Sequence, residues 1–167
     1  MAIFLDFEAS SLSKASYPIE VGWVRPDGSG EALLIRPAPD WTDWDWEAER
    51  LHRLSRTRLF NEGLPVRQVA DRLIALFAED RVFASAPSWD GHWLSMLLRA
   101  AGEPRHLLRL EPTSTAFAEA ARASGAVPLA TEIMALRARL NPEPVIHRAL
   151  ADARREHAVW QALLARP

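Results

Sequence analysis

Apolar and polar positions along this 167-residue chain follow first a period of two and then a period near 3.6. The chain opens with Ala2-Ile3-Phe4-Leu5-Asp6-Phe7-Glu8, an apolar run with two acids at its far end. Such a run predicts a central strand buried on both faces. Strand side chains alternate, so Asp6 and Glu8 share one face and Phe7 takes the other. Residues 17–24 alternate enough for a second strand. Pro26-Asp27-Gly28-Ser29-Gly30 is a turn signal, and residues 31–35 read as a third strand. These three strands predict an antiparallel meander from one edge of a sheet. A helix is expected over residues 47–58. Another opens at Leu64-Pro65, with Val66, Val69, Leu73 and Phe77 at helical spacing. Residues 81–86 predict a fourth strand. The helix after it begins at Pro87, has Trp89, Trp93, Met96 and Leu97 as its buried stripe, and stops at Gly102 and Pro104. A short fifth strand is expected at 106–110, and helices at 114–124, 129–140 and 149–165. Prolines 142 and 144 keep the segment before the last helix non-helical. Strands followed by alternating helices and strands describe an α/β layered domain.

Composition narrows the picture little. The length suits one domain with a substantial core, and no repeat or linker interrupts it. A net charge of −2 does not describe a protein that coats duplex DNA by charge alone, although a local basic groove stays compatible with it. Lys14 is the sole lysine among 20 basic residues. The absence of cysteine excludes disulfides and thiolate zinc sites and is compatible with a cytoplasmic setting. The first residues lack a basic region and their apolar run is broken by Asp6, so no signal peptide or membrane span is expected.

The chemistry lies in the acids. Two carboxylates at the end of a buried strand repel each other and are costly unless a cation sits between them. A divalent ion with oxygen ligands is the simplest such partner. The alternative is that both acids lie past the strand end, in water. Ligands of open α/β sheets bind beyond the carboxyl ends of the strands. Asp90 follows the fourth strand, so it converges with Asp6 and Glu8 if those strands are parallel neighbours. Asp152 falls at the edge of an apolar helical stripe of Ala149, Ala153, Trp160, Leu163 and Leu164, which turns it towards the sheet. His147 precedes that helix on the proline-bounded segment. The loop at 37–46 interleaves Trp41, Trp44 and Trp46 with three aspartates. It reads either as a stacking platform or partner surface, or as rings covering the edge of the core.

Taken in order, Phe4-Leu5-Asp6-Phe7-Glu8, Pro18-Ile19-Glu20-Val21-Gly22, the segment from Phe83 to Asp90, and His147-Arg148-Ala149-Leu150-Ala151-Asp152 resemble the DEDDh branch of the 3′–5′ exonucleases. That superfamily contains polymerase proofreading exonucleases, ribonuclease T and oligoribonuclease. The resemblance covers nearly the whole chain. It implies an α/β, ribonuclease H-like fold: a mixed five-stranded sheet with an antiparallel three-strand meander, flanked by helices, as a single domain over residues 1–167. It implies that Asp6, Glu8, Asp90 and Asp152 hold two divalent cations, Mg²⁺ or Mn²⁺, with Asp6 bridging them, and that His147 is the general base. It implies that Phe7 and Leu12 meet the terminal nucleotide, and that His52 stands on the substrate side. Departures from the family pattern are Ala9, the missing glycine near Ser11, Ala86 and Trp89. They bear on how the terminal nucleotide is held.

Three functions follow as expectations. The first is hydrolysis of single-stranded RNA or DNA from its 3′ end to nucleoside 5′-monophosphates. The second is a catalytically silent nucleic-acid or protein-binding module that keeps the fold. The third is a hydrolase of very short oligonucleotides. RNA versus DNA, a homodimer through the tryptophan loop, and the role of Glu20 stay open at the level of sequence.

Overall fold

The computed structural model describes residues 2–123, 125, 130–140 and 147–165. In chain order the elements are β1 (Ala2–Ala9), β2 (Pro18–Val24), β3 (Gly30–Leu34), α1 (Trp46–His52), α2 (Arg56–Glu62), α3 (Val66–Glu79), β4 (Arg81–Ala84), α4 (Pro87–Ala100), β5 (Glu111–Pro112), α5 (Thr113–Ala123), α6 (Ala130–Leu140) and α7 (Ala149–Leu164). The strands form one sheet in the order β3-β2-β1-β4-β5. β1 and β2 pair antiparallel, as do β2 and β3, which is the expected meander. β1 and β4 run parallel, as do β4 and β5. The α/β, five-stranded architecture expected from the sequence is therefore present.

β1 lies in the middle, and its two faces feed two cores. Ile3, Leu5 and Phe7 join Val69, Leu73, Leu94 and Leu97 from α3 and α4. Ala2 and Phe4 join Phe117, Val159 and Leu163 from α5 and α7. With a period of two, Asp6 and Glu8 continue the face that begins with Ala2 and Phe4, which is the face α7 covers. Only Asp6 and Glu8 along β1 are less than fully buried. A glycine on β2 lets α7 come close. A β-carbon on Gly22 would lie 2.3 Å from the Leu150 nitrogen, so helix and strand backbones nearly touch there.

The structure corrects four local expectations. The helix foreseen over 47–58 is two helices. It breaks at Arg53, whose φ of 57° places it in the left-handed region, and restarts at Ser55, which caps α2 by accepting from the Arg58 N–H. The fifth strand is not at 106–110 but is a two-residue pairing, Glu111–Pro112, beside Phe83 and Ala84. Trp89 is 38% exposed, not buried; α4 buries Trp93, Leu94, Leu97 and Leu98, and Met96 is half-buried. On α7, Leu164 is exposed where the stripe had placed it inward. Both helix corrections have one cause: the packed face is selected by what the sheet offers, and a wide apolar stripe leaves the choice open. The expected non-helical residues 141–144 lie outside the described residues.

Candidate metal centre

Each acid arrives by a different route. β1 supplies Asp6 and Glu8 as alternate residues on one face. α7 supplies Asp152 from its first turn, where the Asp152 N–H closes the first helical hydrogen bond onto the Arg148 carbonyl at 3.0 Å. The result is that Asp6, Glu8 and Asp152, all partly buried, each offer a carboxylate oxygen within 4.8 Å of the others. Arg155, one turn further along α7, is ion-paired with Asp152.

Asp90 sits one step behind this trio. It opens α4 behind Pro87 and is 2% exposed. One oxygen accepts the Phe7 N–H and the other reaches back to the Ala86 N–H, both at 3.3 Å. Asp90 thus ties α4 to β1 beside Asp6. It is close enough to push the Asp6 carboxyl up, although its oxygens lie outside the 4.8 Å group.

The electrostatics are those of a site short of positive charge. Burial first, then Asp90 and Glu8, raise Asp6 well above the ordinary carboxyl range, with Arg155 opposing. Burial and then Glu20 raise Glu8 to about 7, against Arg148 and Arg155. Burial raises Asp90 to about 7, against the two N–H donors. An all-oxygen donor set, with acids held this close and this reluctant to ionise, fits a hard divalent cation. A testable consequence concerns pH. Acids whose folded-state pKa lies above the unfolded value stabilise the fold below the unfolded pKa and lose that contribution as pH rises through the folded value. For Glu8 and Asp90 the window runs from about 4 to about 7. Without divalent ions, the melting temperature is expected to fall by several degrees across that window. Added Mn²⁺ should remove most of the fall, and a flat metal-free profile would contradict the arrangement.

The remaining residues named from the sequence divide. His147 is exposed, immediately ahead of Arg148 and α7. Leu12 is 74% exposed at the tip of the β1–β2 loop, whereas Phe7 is buried in the core on the opposite face. His52, expected on the substrate side, is the buried last residue of α1. It is 2% exposed, its Nδ1 accepts the Leu54 N–H at 3.0 Å, and its Nε2 is buried with no hydrogen-bond partner. Burial pushes its pKa down to about 4, aided by Arg148 and His147 and opposed by Glu20, so the ring is neutral at pH 7. Of the three tryptophans, Trp41 is buried and stacked on Tyr17 at 5.3 Å, Trp44 meets His52 edge-on at 6.1 Å, and Trp46 is exposed. The loop mostly covers the core edge.

One element had no signal in the sequence. Asp43 accepts from the hydroxyls of Ser10, Ser11 and Ser13 at 3.0, 2.6 and 3.0 Å, and the Asp45 N–H donates to the Ser10 carbonyl. The tryptophan loop therefore grips the loop that presents Leu12. A serine-rich turn and an acid 30 residues away could be joined only by seeing the fold.

No protein-family model and no curated protein sequence matches the chain. Solved structures do. The zinc-ion-bound form of an Escherichia coli exonuclease I–ssDNA complex superposes with a TM-score of 0.67 at 16% identity, over 98% of this chain and 39% of that one. E. coli exonuclease I in complex with a dT13 oligonucleotide gives 0.71 at 17% identity, over 99% and 41%. A moderately thermophilic exonuclease I from Methylocaldum szegediense gives 0.69 at 20% identity, over 98% and 39%. The chain spans about two fifths of the length of these proteins. The motif resemblance and the fold point the same way: over nearly its whole length, this chain shares its fold with exonuclease I.

Proposed function

We propose that the protein is a metal-dependent 3′–5′ exonuclease that hydrolyses single-stranded nucleic acid to nucleoside 5′-monophosphates. The observation that carries this reading is the convergence of Asp6, Glu8 and Asp152 within 4.8 Å at the carboxyl end of β1, with Asp90 behind them. Two of the structures sharing the fold are complexes with single-stranded DNA, which supports a single-stranded substrate.

Asp6, Glu8 and Asp152, with Asp90 beside them, would hold two divalent cations, Mg²⁺ or Mn²⁺, whose chemistry is to polarise a scissile phosphate and acidify water. His147, exposed and unconfined by the helix, takes the proton from the attacking water. Leu12 is free to press on the terminal base. Phe7 is buried, so its contribution on the substrate side is confined to the main chain of β1. His52, neutral, has an Nε2–H to donate, because its Nδ1 already accepts. Lys14, Ser88, Trp89 and His92 line an open hollow of about 430 Å³, in which Trp89 stacks on Trp93 at 5.6 Å. A cation beside a half-exposed indole suits a strand of stacked bases.

The test is a set of 5′-labelled RNA and DNA oligonucleotides of graded length, with and without Mn²⁺. Stepwise shortening from a free 3′ hydroxyl, dependent on metal, is expected. Cleavage that ignores a blocked 3′ end overturns the reading. Activity confined to the shortest members would replace it with a short-oligonucleotide hydrolase. Replacing His147 by Ala is expected to lower kcat by about a hundredfold. Mn²⁺ affinity, measured by titration calorimetry, should stay the same, since His147 is not among the carboxylate ligands.

A further inference from the structure

Glu20 is 1% exposed and faces Glu8 across the β1–β2 pairing. Two acids side by side are unfavourable, and Glu8 registers the effect as an upward push. What holds Glu20 there is the start of α7. Both of its oxygens accept from the Arg148 guanidinium, at 3.1 and 2.9 Å from Nε and 2.5 Å from Nη2. One of them also accepts the Ala149 N–H at 3.0 Å. Arg148 is the capping residue of α7, and no side chain within the helix caps it. The Glu20 carboxylate therefore serves as the cap from another strand, at the end of the helix dipole that favours an anion.

We infer that the Glu20–Arg148 clamp fixes where Asp152 and His147 stand relative to the β1 acids, which makes Glu20 a positioning residue of the centre proposed above, on whose reading this inference rests. The backbone connects the parts. Arg148 gives its side chain to Glu20 and its carbonyl to the Asp152 N–H, and His147 is its neighbour. Gly22 lies two residues from Glu20 on the same strand face, and against it the Leu150 backbone is seated. The glycine sets how close the first turn comes, and the carboxylate sets its rotation. Arg148 also offsets the charge that Glu20 adds beside Glu8.

Glu20→Gln tests this. It keeps the shape and one acceptor oxygen but loses the charge and the second acceptor on which the two-oxygen pairing with the guanidinium depends. Mn²⁺ affinity, read by calorimetry without nucleic acid, is expected to weaken about tenfold, as for other groups that orient metal ligands. kcat at saturating Mn²⁺ should fall about tenfold with KM for the oligonucleotide within twofold. In an Asp152→Asn background the same change should cost no further Mn²⁺ affinity. Glu20→Asp, which keeps the charge, should recover part of the loss. If Glu20→Gln only lowers the melting temperature, leaving Mn²⁺ affinity and kcat as in the wild type, the clamp merely fastens the helix and the inference is overturned. Should Glu20→Gln not fold, Arg148→Met is judged by the same two readouts. A wild-type protein that binds Mn²⁺ but cleaves nothing would remove the exonuclease reading alone, with the clamp still decided by the affinity comparison.

Discussion

Asp152→Asn is expected to lower oligonucleotide hydrolysis by about a thousandfold or more, equivalent to about 4 kcal/mol of barrier, without destabilising the metal-free protein. Both halves come from the same geometry. Asp152 shares a 4.8 Å cluster with Asp6 and Glu8, so losing its charge removes a ligand of the proposed cations. It also releases Arg155 from its ion pair with Asp152, leaving that guanidinium to Asp6 and Glu8, the buried acids whose upward shifts it already opposes. Asn preserves the size of the side chain, and the position is only partly buried. The melting temperature without metal should therefore hold or rise, while its increase on adding Mn²⁺ shrinks. Thermal scans with and without Mn²⁺, beside the cleavage assay, measure both. A variant that retains activity within tenfold of wild type would show that Asp152 is not a ligand.

Gly22→Ala is expected to destabilise the fold by about 3 kcal/mol, at the upper end for an overpacked interior. The added methyl would lie 2.3 Å from the Leu150 nitrogen, 2.6 Å from the Ala149 carbonyl carbon and 2.7 Å from the Leu150 α-carbon. All three are main-chain atoms of the first turn of α7, so no side chain can swing aside. The helix has to lift from β2, and Asp152 lifts with it. Gly91→Ala is the matched control. It sits in α4 with nothing within 4 Å of its added carbon. There alanine should gain about 0.5–1 kcal/mol through helix propensity. Urea unfolding of both variants should give midpoints displaced in opposite directions, and equal displacements would contradict the close contact of α7 with β2.

The convergence of the β1 acids with α7 was legible because two simple periods intersect. Alternation along β1 put Asp6 and Glu8 on one face, and the helical stripe turned Asp152 towards the sheet. The placement of Asp90 was legible only in part. Its position after β4 was readable, but the two backbone N–H groups that draw its oxygens back belong to residues 83 positions earlier and four positions earlier in the chain. His52 shows the same limit. The expected 47–58 helix carried His52 in its middle, yet the chain breaks at Arg53 and leaves His52 as the buried last residue of α1, edge-on to Trp44. The signal for that break was present in Ser55, a capping residue followed by a new helix, but the helical period ran across it. β5 was misplaced because two residues of parallel pairing leave no alternation to detect. Glu20 had no account from sequence, since its partners are 128 and 129 residues away.

The three hydroxyls gathered on Asp43 have a mechanical meaning. Residues 10–13 and 43–45 are joined through the Asp43 carboxylate and the Asp45 amide. A displacement of Leu12 would therefore be carried to Asp45, the cap of α1, the helix whose last residue is the buried His52.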